Sequence, residues 1–193
     1  MSGSMVLIIV LALLVIGVVW LIAAYNGLVR LRNQLANAWA QIDVQLKRRH
    51  DLIPNLVETV KGYARHERET FEQITQARNA AINARGIQER AQAENNLTAT
   101  LKSLFAVAEA YPELKANQNF LALQEELTST ENKVAFARQF YNDATMQINT
   151  RIQSFPTNLI AGQFGFKPQE FFEIQAASER EAPRVKFEGT DRG

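Results

Sequence analysis

The sequence predicts an all-α protein, an N-terminal transmembrane helix continuing into a long-helix antiparallel four-helix bundle. Three observations carry that expectation. Met5 to Ala24 (MVLIIVLALLVIGVVWLIAA) is apolar and without charge. Beyond it, apolar residues recur at three- and four-residue steps, and no sustained period-2 run of the kind a half-buried strand shows is present. Finally, no Gly and one Pro interrupt Ile87 to Phe155, so long amphipathic helices with short connections follow.

Residues 1–4 form a short N-terminus, and residues 5–25 read as the transmembrane helix. At ~1.5 Å per residue the apolar run reaches about 30 Å, the thickness of a bilayer's hydrocarbon core. Trp20 and Tyr25 fall at its end, where amphipathic rings favour the membrane–water boundary, and Arg30 and Arg32 follow within reach of headgroups. A cleaved signal peptide is the competing reading. It wants a basic n-region, a shorter apolar run and a small-x-small cleavage site. No Lys or Arg precedes Arg30, and Ile22-Ala23-Ala24 is a poor site, so a retained anchor is expected. The positive-inside rule then puts the N-terminus outside and the body in the cytoplasm.

The bundle is expected over 26–172. Leu28, Arg32, Leu35, Trp39, Ile42, Leu46, Arg49, Ile53, Leu56 and Val60 alternate by four and three, a stripe of period 3.5 that extends the anchor into one rod to about His50. Pro54 interrupts the pattern, either restarting a helix after Asp51 or kinking a continuous one. A second helix is expected from Leu52 to about Arg85, with Tyr63, Phe71, Ile74, Ala77 and Ala81 inward and Gly86 ending it. A third runs from Ile87 through Ala91, Leu97, Leu101, Leu104, Phe105 and Ala108 to Tyr111-Pro112. The fourth starts near Asn117–Asn119 and carries Phe120, Leu127, Val134, Tyr141, Ile148 and Phe155 at sevenfold spacing, up to Pro156.

The segment 155–172 gathers five of the chain's eleven Phe with two Gly and two Pro. It reads either as a tail folded over the bundle or as a docking surface for a partner or lipid, with Phe164, Phe166, Phe171 and Phe172 as its anchors. Residues 173–193 are charged and Pro-broken, the pattern of a flexible C-terminal tail.

Composition excludes several classes. The 193 residues include no Cys, which removes disulfides, thiolate nucleophiles, Cys-ligated metals and a lipidated Cys. With 21 Lys+Arg against 20 Asp+Glu, the whole-chain basic signature of a nucleic-acid binder is missing. His66-Glu67 opens HERET without the second His of a zinc-protease motif, and no Gly-rich phosphate loop or GxSxG elbow occurs. His50-Asp51 reads as helix-surface chemistry. No catalytic, metal-binding or cofactor-binding residue is expected, and no cofactor.

The dense charge is Lys47-Arg48-Arg49-His50, too far from the span to reach headgroups if the rod stands upright. It is expected to pair with acidic residues in the bundle or on a neighbouring copy, or to be a solvated face. Arg49 lies within the apolar stripe. A buried cation without a partner is costly, so it is expected to meet Glu131, beside the stripe of the fourth helix, as a structural polar pair.

The stretches YNGLVRLRNQLANAWAQIDVQLKRRHDLIPNLVETVKGYARHE, LFAVAEAYPELKANQNFLALQEEL, TENKVAFARQFYNDA and FPTNLIAGQFGFKPQEFFE resemble the bacterial LemA family, from Tyr25 to about Phe187. The resemblance implies the same anchored helical bundle and brings no catalytic residue with it. It also implies a bacterial cytoplasmic (inner) membrane location, and a magnetosome-forming relative points to membrane organisation. The leading expectation is a non-enzymatic, self-associating scaffold. If the other helices pair only beyond about Asp51, then Leu28, Leu35, Trp39, Ile42 and Leu46 find their cover in identical copies. The alternative is an accessory module for a membrane protease, transporter or envelope-stress partner.

Overall fold

One continuous helix, α1 (Gly3–Lys61), forms the spine of the computed structural model, which describes residues 3–172. Its 59 residues reach about 90 Å at the α-helical rise. The helix passes through Pro54 without a break, and it ends at Lys61, giving way to a turn at Gly62-Tyr63. The second helix therefore does not begin at Leu52. α2 spans Arg68–Asn83, and Tyr63, expected inside, is exposed in the turn, its hydroxyl accepting a bond from Asn117 Nδ2 at 2.9 Å.

Proline lacks the N–H that would bond the carbonyl four residues back, here that of His50. Arg78 of α2 fills the vacancy: its Nε donates to His50 O at 2.7 Å. Packing against α2 thus satisfies the group that Pro54 orphans.

Gly86 turns the chain between α2 and α3 (Ile87–Glu109) at φ +82°, a left-handed conformation that disfavours a side chain. Glu89, in the first turn of α3, accepts from Arg85 N at 3.0 Å and closes that end. Pro112 opens the single turn α4 (Pro112–Lys115). Asn117 caps α5 (Gln118–Gln153) by accepting from Phe120 N at 3.1 Å. Past α5 comes the short α6 (Thr157–Gln163); Gly165, at φ +71°, turns the chain after it, and residues 166–172 run back along α5. No strand occurs among the described residues.

α1 and α5 form the dominant antiparallel pair, and α2 and α3 a second hairpin packed beside them. Their core is divided. A membrane-proximal cluster joins Leu28, Leu35, Ile42 and Leu46 of α1 to Val134, Tyr141 and Ile148 of α5, with Ile160 of α6 and Phe172. A distal cluster joins Ile53, Leu56 and Val60 to Phe71 and Ile74 of α2, Leu97 and Leu104 of α3, and Phe120 and Leu127 of α5.

This arrangement overturns the expected self-association stripe. Leu28, Leu35, Ile42 and Leu46 are between 0 and 6% exposed, and Trp39 is half-buried against Tyr141 and Phe172. α5, at 36 residues, is long enough to run alongside α1 down to Leu28, so the chain covers its own stripe. Phe155 departs in the other direction: it continues the sevenfold spacing but is 80% exposed, because α5 ends at Gln153. The reading of 173–193 as a flexible tail lies outside the described residues.

Candidate functional site

Arg49 and His50 interrupt the apolar stripe of α1 between Leu46 of one core cluster and Ile53 of the other. Arg49 Nη1 donates to Glu94 Oε2 at 3.0 Å, and Nη2 donates to Thr98 Oγ1 at 2.7 Å. The same Nη2 lies 3.0 Å from Glu131 Oε2. His50 Nε2 is 2.7 Å from the second oxygen of Glu94. Arg49 and Glu94 are 2% and 1% exposed, so their charges survive burial only through these contacts. Three helices are tied at one level: α1 through Arg49 and His50, α3 through Glu94 and Thr98, and α5 through Glu131.

The sequence reading named Arg49 and Glu131, and the structure brings them together. It missed Glu94, the fully buried half of the layer. The signal was available, because Glu94 sits at helical spacing between Ala91 and Leu97, inside the apolar stripe of α3. His50 is a correction: it is 8% exposed and in hydrogen-bond contact with Glu94, where a surface position was expected. α3 covers the flank of α1 on which it lies. Of its neighbours, Arg48 pairs with Glu126 of α5, while Lys47 lines an open cleft of about 470 Å³ beside His50.

Chemically the layer is a clasp. Both oxygens of Glu94 are engaged, and no serine or threonine hydroxyl among the described residues bonds to His50. No cluster of three metal-ligating side chains occurs among the described residues.

The four tail residues divide. Phe172 is 1% exposed, inserted between Trp39 and Arg138, whose guanidinium stands 4.7 Å over its ring. Phe166 is half-buried between Tyr25 and Arg32. These two are core and not docking anchors, whereas Phe164 and Phe171 are exposed at 52% and 38%. Asn142 and Asn149 hold the tail as a neighbouring strand would: Asn142 Oδ1 accepts from Phe172 N at 2.8 Å and Asn149 Oδ1 from Gln169 N at 2.7 Å. Each amide also donates back to the carbonyl of the same residue, at 3.2 and 2.9 Å. Tyr141 Oη donates to Glu170 O at 3.0 Å, and burial raises its pKa above the ordinary value of 10.0.

The flank of the α1–α5 pair opposite the tail is open. Val44, Phe136 and Phe140 line a groove there and are 62, 72 and 42% exposed. The expected membrane-interface residues form a different zone. Trp20 is exposed, Arg30 is exposed one turn above Tyr25, and Tyr25 stacks on Phe164 at 4.9 Å.

Comparison with known proteins places this arrangement. The LemA family profile matches residues 38–187. Protein LemA of Metamycoplasma hominis is 28% identical over 138 residues, covering 70% of this chain and 63% of its own length. Magnetosome protein MamQ 2 of Paramagnetospirillum magneticum is 23% identical, over 82% of this chain and 68% of its own. Magnetosome protein MamQ of Magnetospirillum gryphiswaldense is 21% identical over the same shares. The chain thus spans about two-thirds of the length of these curated relatives, and none of their names is that of an enzyme.

Proposed function

The chain belongs to the LemA family, and from that premise we propose a non-enzymatic, single-pass membrane scaffold whose bundle self-associates in the plane of the bilayer. The observation that carries this reading is the continuity of α1. Every residue from Met5 to Ala23 is exposed, and the same helix then enters the core at Ala24 and Leu28. A rigid body is thereby coupled to an apolar span. Clipping near Tyr25 would cut the helix where α6 and Phe164 pack on it, which argues for a retained anchor.

Self-association passes from the covered stripe to the open flank. Val44, Phe136 and Phe140 present large apolar side chains in one groove, a feature of interaction surfaces. Anchored copies hold this groove at one height above the membrane, and confinement raises their effective concentration. Kinship to proteins named for the magnetosome supports an organising role. Arg30 and Arg32 favour a cytoplasmic body at the inner membrane with the N-terminus outside.

The test uses the full chain in nanodiscs or mild detergent. Phe136→Ser with Phe140→Ser reduces oligomers to monomers by light scattering, and Val44→Cys cross-links copy to copy under oxidation. Unchanged oligomers and no cross-link refute the interface. Loss of a co-purifying membrane protein at unchanged oligomer size favours the accessory-module reading. Labelling of Ser4→Cys only from outside, and of Ser103→Cys only from inside, checks the orientation.

A further inference from the structure

The junction of α5 and α6 carries apolar side chains that the bundle does not use. Phe155, Leu159 and Phe164 are 80, 66 and 52% exposed, although Ile160 and Ala161 of the same short helix are buried. Helix register fixes the height of this corner. Trp39 meets Tyr141 with ring centroids 5.5 Å apart, and α1 and α5 run antiparallel. Equal steps along both helices bring Gln153 opposite Gly27, within about 3 Å of the level of Tyr25 at the α-helical rise. Phe155 then lies level with the last residues of the span, and Phe164 touches Tyr25 directly. Phe155 and Phe164 therefore stand at the level of Tyr25, with Leu159 on the short helix between them.

Charge follows the same boundary. No acidic residue precedes Asp43, and none lies between Asp143 and Glu170, whereas Arg30, Arg32, Arg151 and Lys167 fall in those stretches. An apolar corner at the depth of the aromatic belt, beneath a basic collar free of carboxylates, matches the acyl–headgroup boundary of an anionic leaflet. We propose that the α5–α6 corner is a second membrane contact, a foot whose Phe155, Leu159 and Phe164 insert into the lipid interface beside the anchor. The occupant is lipid, because the surface is continuous with the span at its own height. Two points of attachment stop the bundle swinging about α1 and keep its open groove lateral.

This rests on the anchor reading above, and the experiment separates the two. The chain has no Cys, so single-site labels are clean. Full-length Leu159→Cys, Leu13→Cys and Ser103→Cys each carry an environment-sensitive fluorophore in nanodiscs of equimolar phosphatidylcholine and phosphatidylglycerol. Nitroxide lipids and aqueous iodide are the two quenchers. The foot predicts that Leu159→Cys loses most of its emission to a shallow nitroxide lipid and little to iodide, as a label in the interface does. Leu13→Cys is quenched by a deep nitroxide, and Ser103→Cys by iodide alone. Quenching of Leu159→Cys by iodide, with Leu13→Cys still lipid-quenched, overturns the foot and leaves the anchor standing. Protection from both quenchers assigns the corner to a second copy and also overturns the foot. Iodide quenching at Leu13→Cys overturns both readings. Phe155→Cys repeats the measurement should Leu159→Cys fail to fold.

Discussion

Arg49 and Glu94 form a pair whose contribution depends on both members being present. Removing Arg49 leaves Glu94 buried with His50 as its one remaining partner, and Arg49→Met is expected to destabilise the bundle by about 3–5 kcal/mol in chemical denaturation followed by circular dichroism. Arg49→Met combined with His50→Leu and Glu94→Leu should recover most of that loss, because replacing the whole buried layer leaves no polar group without its partner. A triple variant as unstable as the single would refute the clasp. Arg49 was readable as a break in an apolar stripe, and Glu94 breaks its own stripe equally visibly. Their pairing was not readable, since spacing along α1 says nothing about which stretch of α3 lies opposite. Tyr141 supplies a pH prediction. Its folded pKa is raised, so the neutral phenol is favoured in the native state and that stability is intact below the unfolded value of 10.0. It is lost as pH rises above that value, because the unfolded chain ionises first. Tyr141→Phe should remove this part of the alkaline decline, seen as a shallower fall of the thermal midpoint with pH. It should also cost about 1 kcal/mol at neutral pH for the bond to Glu170.

One helix and one extended segment depend on bonds from outside themselves. α1 crosses Pro54 because Arg78 takes the carbonyl of His50. Arg78→Ala is expected to cost about 1–3 kcal/mol by orphaning that group. In a Pro54→Ala background it should cost less, since Ala at 54 restores an N–H to the same oxygen. The coupling is read from a double-mutant cycle of unfolding free energies, and strict additivity would contradict it. At the sequence level Pro54 marked a break or a kink equally well, and only the position of α2 decides. On α5, Asn142 and Asn149 lie seven residues apart, about 10.5 Å of helix. Gln169 and Phe172 lie three apart, about 10 Å of extended chain. The match lets two side chains hold a segment without a sheet. Asn142→Ala should raise amide hydrogen exchange at Phe172 and leave the middle of α5 unchanged; equal exchange in both variants would exclude the strap.

For the molecule as a whole, the length of α5 is the controlling quantity. It carries the partner of the α1 stripe down to the end of the apolar span, which leaves the proposed self-association to the flank with Phe136 and Phe140. Truncation after Phe155 removes Ile160 and Phe172 from the membrane-proximal cluster and uncovers Trp39. The expected result is a fall in thermal midpoint with the span still helical by circular dichroism. A lost partner in that variant therefore does not by itself identify the tail as a docking site.

By itself the sequence determined what local physics controls. Uninterrupted hydropathy set the apolar span, three-four periodicity set the helices and their inward faces, and Pro, Gly and Asn marked the ends of α3 and the start of α5. Tertiary structure decided what depends on residues far apart in the chain. It chose the passage through Pro54, the burial of His50, the choice of Glu94, and the division of 155–172 into core and exposed rings. Periodicity records that a face is covered, but the identity of its cover depends on how helices of unequal length align, and that is settled only when they pack.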